Sequence, residues 1–226
     1  MPSDPDLPEL DYRRLFRDPD MFDSVGAFED AGFSVIRRKR DTTIMVGRYK
    51  GIDDFLFKKY NAHAKSLEDQ LENYSTRVAG AQALRAFIEQ HQLRHITVPR
   101  KWRYELPPEF GKAHRKYVES SYVLIVERLD VLSETKNEKA YRDIDKDVLK
   151  DLCTVLFRFR GLDSTAKNMP FTKDGQIAFI DTEGWDGSRE ERLRYVGKLL
   201  PPKREDKAHE YFSDLERDER RRRKRR

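Results

Sequence analysis

Residues 161–184 read Gly161-Leu162-Asp163-Ser164-Thr165-Ala166-Lys167-Asn168-Met169-Pro170-Phe171-Thr172-Lys173-Asp174-Gly175-Gln176-Ile177-Ala178-Phe179-Ile180-Asp181-Thr182-Glu183-Gly184. Lys173-Asp174-Gly175 is a turn signal, because Asp bonds its own backbone locally and Gly accepts a positive φ. Ile177-Ala178-Phe179-Ile180 is an unbroken apolar run and predicts a buried strand. The stretch is therefore expected to form a β-hairpin with Asp163, Asn168 and Asp181, three metal- or proton-handling side chains, at its ends.

Upstream, Ile144–Arg158 carries Val148, Leu149, Leu152, Val155 and Leu156, the spacing of a helix with one apolar face. It leads into the hairpin. Tyr122–Val126 is a continuous apolar run and predicts a central strand. Residues 133–143 read as a charged linker, and 107–117 as a polar loop. Ile96-Thr97-Val98 predicts a short strand stopped by Pro99. The strongest helix pattern is 66–91, where Leu67, Leu71, Tyr74, Val78, Ala81, Leu84 and Ile88 recur at three- and four-residue steps. Ser66 is the expected N-cap, followed by Glu68 and Asp69.

Before that helix the period changes to that of strands: Phe33–Arg37, Thr43–Val46 and Asp54–Tyr60. Alternation in the third puts Phe55 and Phe57 on one face, Leu56 and Lys58 on the other. Residues 12–22 and 24–31 predict two short helices, the second ending at Gly32. Beyond the hairpin, 189–199 and 205–217 predict helices separated by Pro201-Pro202. No internal repeat is visible.

The 226 residues suit one large domain or two small lobes. No apolar run approaches 18 residues, so no membrane span is expected, and the first residues do not form a secretory signal. The single cysteine, Cys153, sits in an apolar helical stretch and reads as a buried thiol. His63, His91, His95, His114 and His209 are scattered without metal-ligand spacing and read as surface residues. Trp102 and Trp185 read as packing anchors. The net charge of +5 lies entirely in residues 216–226, where eight bases face three acids; the rest has 38 of each. The body is thus not a nucleic-acid-binding surface, whereas the basic tail suits an acidic surface, nucleic acid or a nuclear address.

Three strands, a long helix, two strands, a linker, a helix and a hairpin: in this order, with three local motifs, residues 33–185 resemble the protein-kinase-like superfamily, in particular minimal bacterial kinase-like and effector proteins. Asp163-Ser-Thr-Ala-Lys-Asn168 resembles the kinase catalytic loop, with Gly161-Leu162 in place of His-Arg. Asp181-Thr182-Glu183 stands where Asp-Phe-Gly would be, and Phe55-Leu56-Phe57-Lys58 resembles the lysine-bearing strand. The resemblance implies an α+β, two-lobed fold with an antiparallel N-lobe sheet and a reduced helical C-lobe. Its divisions would be an extension over 1–32, an N-lobe over 33–129, a C-lobe over 130–215 and the basic tail over 216–226.

The resemblance also implies roles. Asp163 would orient the acceptor hydroxyl and Lys167 would neutralise the transferring phosphate. Asn168 and Asp181 would hold Mg²⁺, with Glu183 a further candidate ligand. Lys58 would meet the phosphates of ATP, with Glu72 the first choice of helix partner and Arg77 nearer the usual spacing. Glu127 to Leu129 would form the hinge at adenine. The chain departs from the pattern where Arg38-Lys39-Arg40-Asp41-Thr42 replaces a glycine-rich loop. Two functions follow as expectations: an ATP- and Mg²⁺-dependent phosphotransferase acting on a protein or small-molecule hydroxyl, or a weakly catalytic pseudokinase serving interaction. A cytoplasmic location, with delivery into a host cell or nucleus, goes with either.

Overall fold

A computed structural model describes residues 4, 6–36, 44–60, 67–107, 122–159, 162, 164–182 and 187–225. The Arg38–Thr42 loop, the cap at Ser66, the loop beyond Pro107, His63, His114, Asp163, Glu183 and Trp185 lie outside them. The elements are α1 (Tyr12–Leu15), α2 (Val25–Asp30), β1 (Phe33–Val35), β2 (Ile44–Tyr49), β3 (Ile52–Tyr60), α3 (Leu67–His91), β4 (Ile96–Thr97), β5 (Lys101–Glu105), β6 (Tyr122–Glu127), α4 (Glu134–Arg142), α5 (Lys146–Arg158), β7 (Ile177–Ala178), α6 (Arg189–Gly197) and α7 (Pro202–Arg223). Short 3-10 turns occupy Pro19–Phe22 and Ala166–Asn168. The fold is α+β, in two compact units: Met1–Val78 with Arg100–Arg128, and Ala79–Pro99 with Leu129–Arg226.

The first unit is built on a five-stranded antiparallel sheet ordered β1-β2-β3-β6-β5. β2 turns into β3 through Lys50-Gly51, and Gly51 has φ 85°, a conformation that side chains rarely adopt. β6 lies between β3 and β5, and Tyr122–Val126 are all buried, as expected of a strand covered on both faces. One face carries Met45, Phe57, Trp102, Val123 and Ile125 and is capped by Leu15, Phe16, Met21, Phe22 and Phe28 from the N-terminal helices. The other carries Tyr60, Tyr122, Leu124 and Val126 and packs on Tyr74 and Val78 of α3. Burying each large side chain contributes roughly 1.5–3 kcal/mol.

Strand β5 was not legible. Its positions 101 and 103 are Lys and Arg, yet both are buried. Arg103 is accommodated because its Nη1 donates to Ser75 Oγ at 2.7 Å and its guanidinium lies 5.4 Å from the Tyr122 ring centre. Ile96-Thr97 does not join this sheet; it pairs in parallel with β7 in the second unit.

The second unit is mostly helical. Leu149, Leu152, Val155 and Leu156 of α5 are fully buried among Leu84, Tyr141, Phe179, Val196, Ala208 and Phe212. Residues 133–143 are not a linker: Glu134–Arg142 is helix α4. Its charges hide a narrow inner stripe, of which Asn137 and Tyr141 are the buried members. Ser188 and Glu191 close a reciprocal capping box at the start of α6. No described helix is long and apolar enough to cross a membrane.

Candidate functional site

The hairpin forms within the second unit, with its strand β7 limited to Ile177–Ala178 of the expected Ile177–Ile180. Phe171 and Ile177 pair across it, Thr172 N donates to Gln176 O at 2.8 Å, and Gly175 turns the chain at φ 88°. Ile180 N donates to Asn168 O at 3.0 Å, so Asp181, the next residue, comes beside Asn168 at the open end. Lys167 is exposed next to Asn168, while Asn168 and Asp181 are half-buried.

That end is held by residues outside the motif. Tyr141 Oη donates to Met169 O at 2.6 Å, and burial pushes its phenol well above the usual range. Asn137 Oδ1 accepts from Phe171 N at 2.8 Å, and its Nδ2 donates to Ala166 O at 3.5 Å. Thr182 is 2% exposed, and its carbonyl oxygen lies only 2.5 Å from where a Cβ on Gly80 of α3 would stand. A glycine inside a helix ordinarily costs about 1 kcal/mol; here it lets α3 and the Asp181-Thr182 backbone approach. Asn137, Tyr141 and Gly80 were missed by sequence reasoning, although a glycine in the middle of an otherwise strong helix pattern is a signal of close approach.

Lys58 lies in the first unit. Lys58 is half-buried on β3, in register with Val46 of β2 and Leu124 of β6, on the side of the sheet that faces α3. The α3 residues turned inward are Gln70, Tyr74, Arg77 and Val78, whereas Glu72 is exposed. Arg77 Nε and Tyr60 Oη both donate to Asn73 Oδ1, at 3.0 and 2.6 Å. Tyr74 Oη accepts from Tyr60 N at 2.9 Å and lies 3.4 Å from Lys58 O as donor. The neighbouring Lys59 is the more deeply buried lysine. Its Nζ donates to Gln70 Oε1 at 3.1 Å and lies 5.9 Å from the Phe22 ring centre; burial lowers its pKa to about 8.

The end of β6 is internally bonded. Glu127 N donates to Arg100 O at 2.9 Å, and the Glu127 carboxylate accepts from Arg100 N and Nη2 at 2.9 and 3.2 Å. Arg128 N donates to Asp54 O at 2.7 Å. These two backbone N–H groups are thus engaged in backbone hydrogen bonds. Leu129 is half-buried at the start of the second unit.

Among the described residues no group of three or more His, Cys, Asp and Glu could hold a metal. Asn168 and Asp181 nevertheless offer the hard oxygen donors that Mg²⁺ prefers, and Mg²⁺ commonly takes only one or two protein ligands beside phosphates and water. Their chemistry fits that ion. A separate open groove of about 390 Å³ at the end of α3 is lined by His91, Arg94, His95, Asp147, Lys150 and Asp151. There His95 is not simply a surface residue: its Nδ1 lies 2.8 Å from Asp151 Oδ2, which also accepts from His95 N at 3.2 Å.

No protein-family model and no curated protein sequence matches the chain. Among solved structures, an apo pseudokinase is similar with a TM-score of 0.41 and 10% identity, over 75% of this chain. This chain covers 64% of that structure, less than two thirds of its length. A likeness of that size assigns neither activity nor site residues.

Proposed function

We propose that the protein is a kinase-like module in which Asn168 and Asp181 keep a metal-binding pair while the strand lysine has lost its usual helix carboxylate, acting as a catalytically weak pseudokinase in protein interaction. One observation carries this reading. The sheet-facing side of α3 presents Gln70 and Arg77, while Glu72 is turned to solvent. A kinase-like site needs a carboxylate there to hold the strand lysine against the nucleotide phosphates. Gln70 is instead hydrogen-bonded to Lys59, and Arg77 to Asn73.

The reading leaves a role for the hairpin. Asn168 and Asp181 would hold Mg²⁺, which supplies charge neutralisation for bound phosphates when present. Asp163 would orient a hydroxyl, and the exposed Lys167 would offer a mobile positive charge. The pairing of Asn168 with the residue before Asp181 favours a second reading, slow phosphoryl transfer from ATP to a hydroxyl.

The test measures thermal shift with MgATP, and label transfer from γ- and α-labelled ATP, for the wild-type chain and Asp181→Ala. The proposal expects a small Mg²⁺-dependent shift lost in Asp181→Ala, and no transfer of either label. Transfer from the γ position that Asp181→Ala abolishes would establish the phosphotransferase instead. A shift unchanged by the substitution would remove the metal site.

A further inference from the structure

Helix α7 begins as a packed helix and continues as a bare one. Ala208 and Phe212 are buried in the second unit's core, with Tyr211 and Leu215 packed against it. After Leu215 no apolar residue follows: residues 216–226 are Glu-Arg-Asp-Glu-Arg-Arg-Arg-Arg-Lys-Arg-Arg. The helix nonetheless runs on to Arg223, and Arg220–Arg225 are exposed.

One side of the bare portion is fixed. Arg189 of α6 meets the Glu219 carboxylate at 3.0 Å, and that bond holds the Glu219 carboxyl below the ordinary carboxylate range. Arg223 reaches the same carboxylate at 2.9 Å. Among the described residues, Arg220 and Arg221 have only long, exposed ion-pair contacts, at 3.6 Å to Glu216 and 3.9 Å to Asp218. Such surface pairs contribute little and exchange readily. Arg222, Lys224 and Arg225 have no carboxylate partner among the described residues.

At about 100° per residue, positions 220–223 point in directions that together go round the helix. Positive charge on all sides, outside the sector anchored by Glu219, does not match a flat anionic face, which one side of a helix would satisfy. It matches a groove with phosphates on both walls. The absence of an apolar face rules against insertion into lipid, and arginine outnumbers lysine seven to one over 217–226. The planar guanidinium fork suits phosphate oxygens. A helix about 10–12 Å across fits the major groove of B-form DNA, about 12 Å wide; the major groove of A-form RNA is too narrow.

We propose that the basic end of α7 docks double-stranded DNA, gripping phosphates on both sides of the major groove without sequence preference. The reading is independent of the phosphate site in the hairpin. It is tested with the full chain by fluorescence anisotropy on a labelled duplex of about 20 base pairs, over about 50 to 200 mM salt. With about four phosphates neutralised, the affinity should fall about 150-fold over that range. The variant Arg220→Gln, Arg221→Gln, Arg222→Gln and Arg223→Gln should lose measurable binding. Its circular dichroism spectrum should be unchanged, since every replaced side chain is exposed. A second variant, Arg222→Gln, Lys224→Gln and Arg225→Gln, breaks no ion pair of the described residues and should weaken binding at least tenfold.

Failure of the wild-type chain to bind at about 50 mM salt, or binding that survives both variants, would overturn the proposal. Equal affinity for single-stranded DNA would refute the groove. Binding to phosphatidylserine-containing vesicles without binding to the duplex would assign the helix to a membrane surface instead.

Discussion

Gly80→Ala is the substitution whose sign the structure decides against expectation. In an ordinary helix it would stabilise the protein by up to about 1 kcal/mol. Here the new methyl carbon would stand 2.5 Å from Thr182 O and 3.3 Å from Thr182 Cβ. The carbonyl oxygen is backbone and cannot rotate away. Its segment is pinned by Phe179 N on Thr97 O and Ile180 N on Asn168 O, both at 3.0 Å. Relief needs a displacement of roughly half an ångström in a tightly packed region, and overpacking of this kind costs about 1–3 kcal/mol. Subtracting the helical gain leaves a loss of about 0–2 kcal/mol. For a chain of this size a loss of about 1 kcal/mol lowers Tm by about 2–4 °C, measurable by circular dichroism. Gly26→Ala in α2 is the control: the nearest atom to its Cβ is 3.8 Å away, so the helical gain should appear without the clash. If Gly80→Ala raises Tm as the control does, the close approach of α3 to the Asp181-Thr182 segment is wrong.

Lys59 makes stability depend on pH. Its folded pKa of about 8 lies below the ordinary 10.5, so the unfolded chain binds more protons between the two values. Stability should therefore rise from pH 8 toward 10.5, by at most about 3 kcal/mol, and urea melts of Lys59→Met should show that rise flattened. Tyr141→Phe leaves Met169 O without its buried donor and should cost about 1–2 kcal/mol in the same melts; a neutral result would mean that the hydroxyl does not hold the hairpin. Cys153 is fully buried, with its thiol pushed up to about 12, so it should react with a thiol reagent only after denaturant is added. Rapid labelling of the native chain would contradict its place in the core.

The elements most legible in the sequence were those whose side chains alternate or repeat without exception. β3 divides Phe57 from Leu56 as alternation requires, and the stripe through Tyr74, Val78, Ala81 and Leu84 is the buried side of α3. The turn at Gly175 and the strand at Ile177 were legible for the same reason. What was hidden lay where polar residues are buried. β5 was masked by Lys101 and Arg103, and α4 by charges surrounding Asn137 and Tyr141. In both cases hydrogen bonds or ring contacts replace the apolar contact that a hydrophobic pattern detects. The surroundings of Lys58 were hidden likewise. Spacing can set Glu72 beside a stripe, but a rotation of about 200° around a helix separates it from Gln70, and only the packed structure shows that Gln70 is the inward one.

The double character of α7 has a consequence of phase. A helix is a rigid screw, so the seating of Phe212 in the core dictates the azimuth at which Glu219 meets Arg189. One residue inserted between them would turn the distal end by about 100° and advance it by about 1.5 Å, enough to part that pair. The ring of arginines beyond looks much the same after any rotation. Natural variants are therefore expected to conserve the helical distance from Phe212 to Glu219 while tolerating changes in the number and order of the bases that follow.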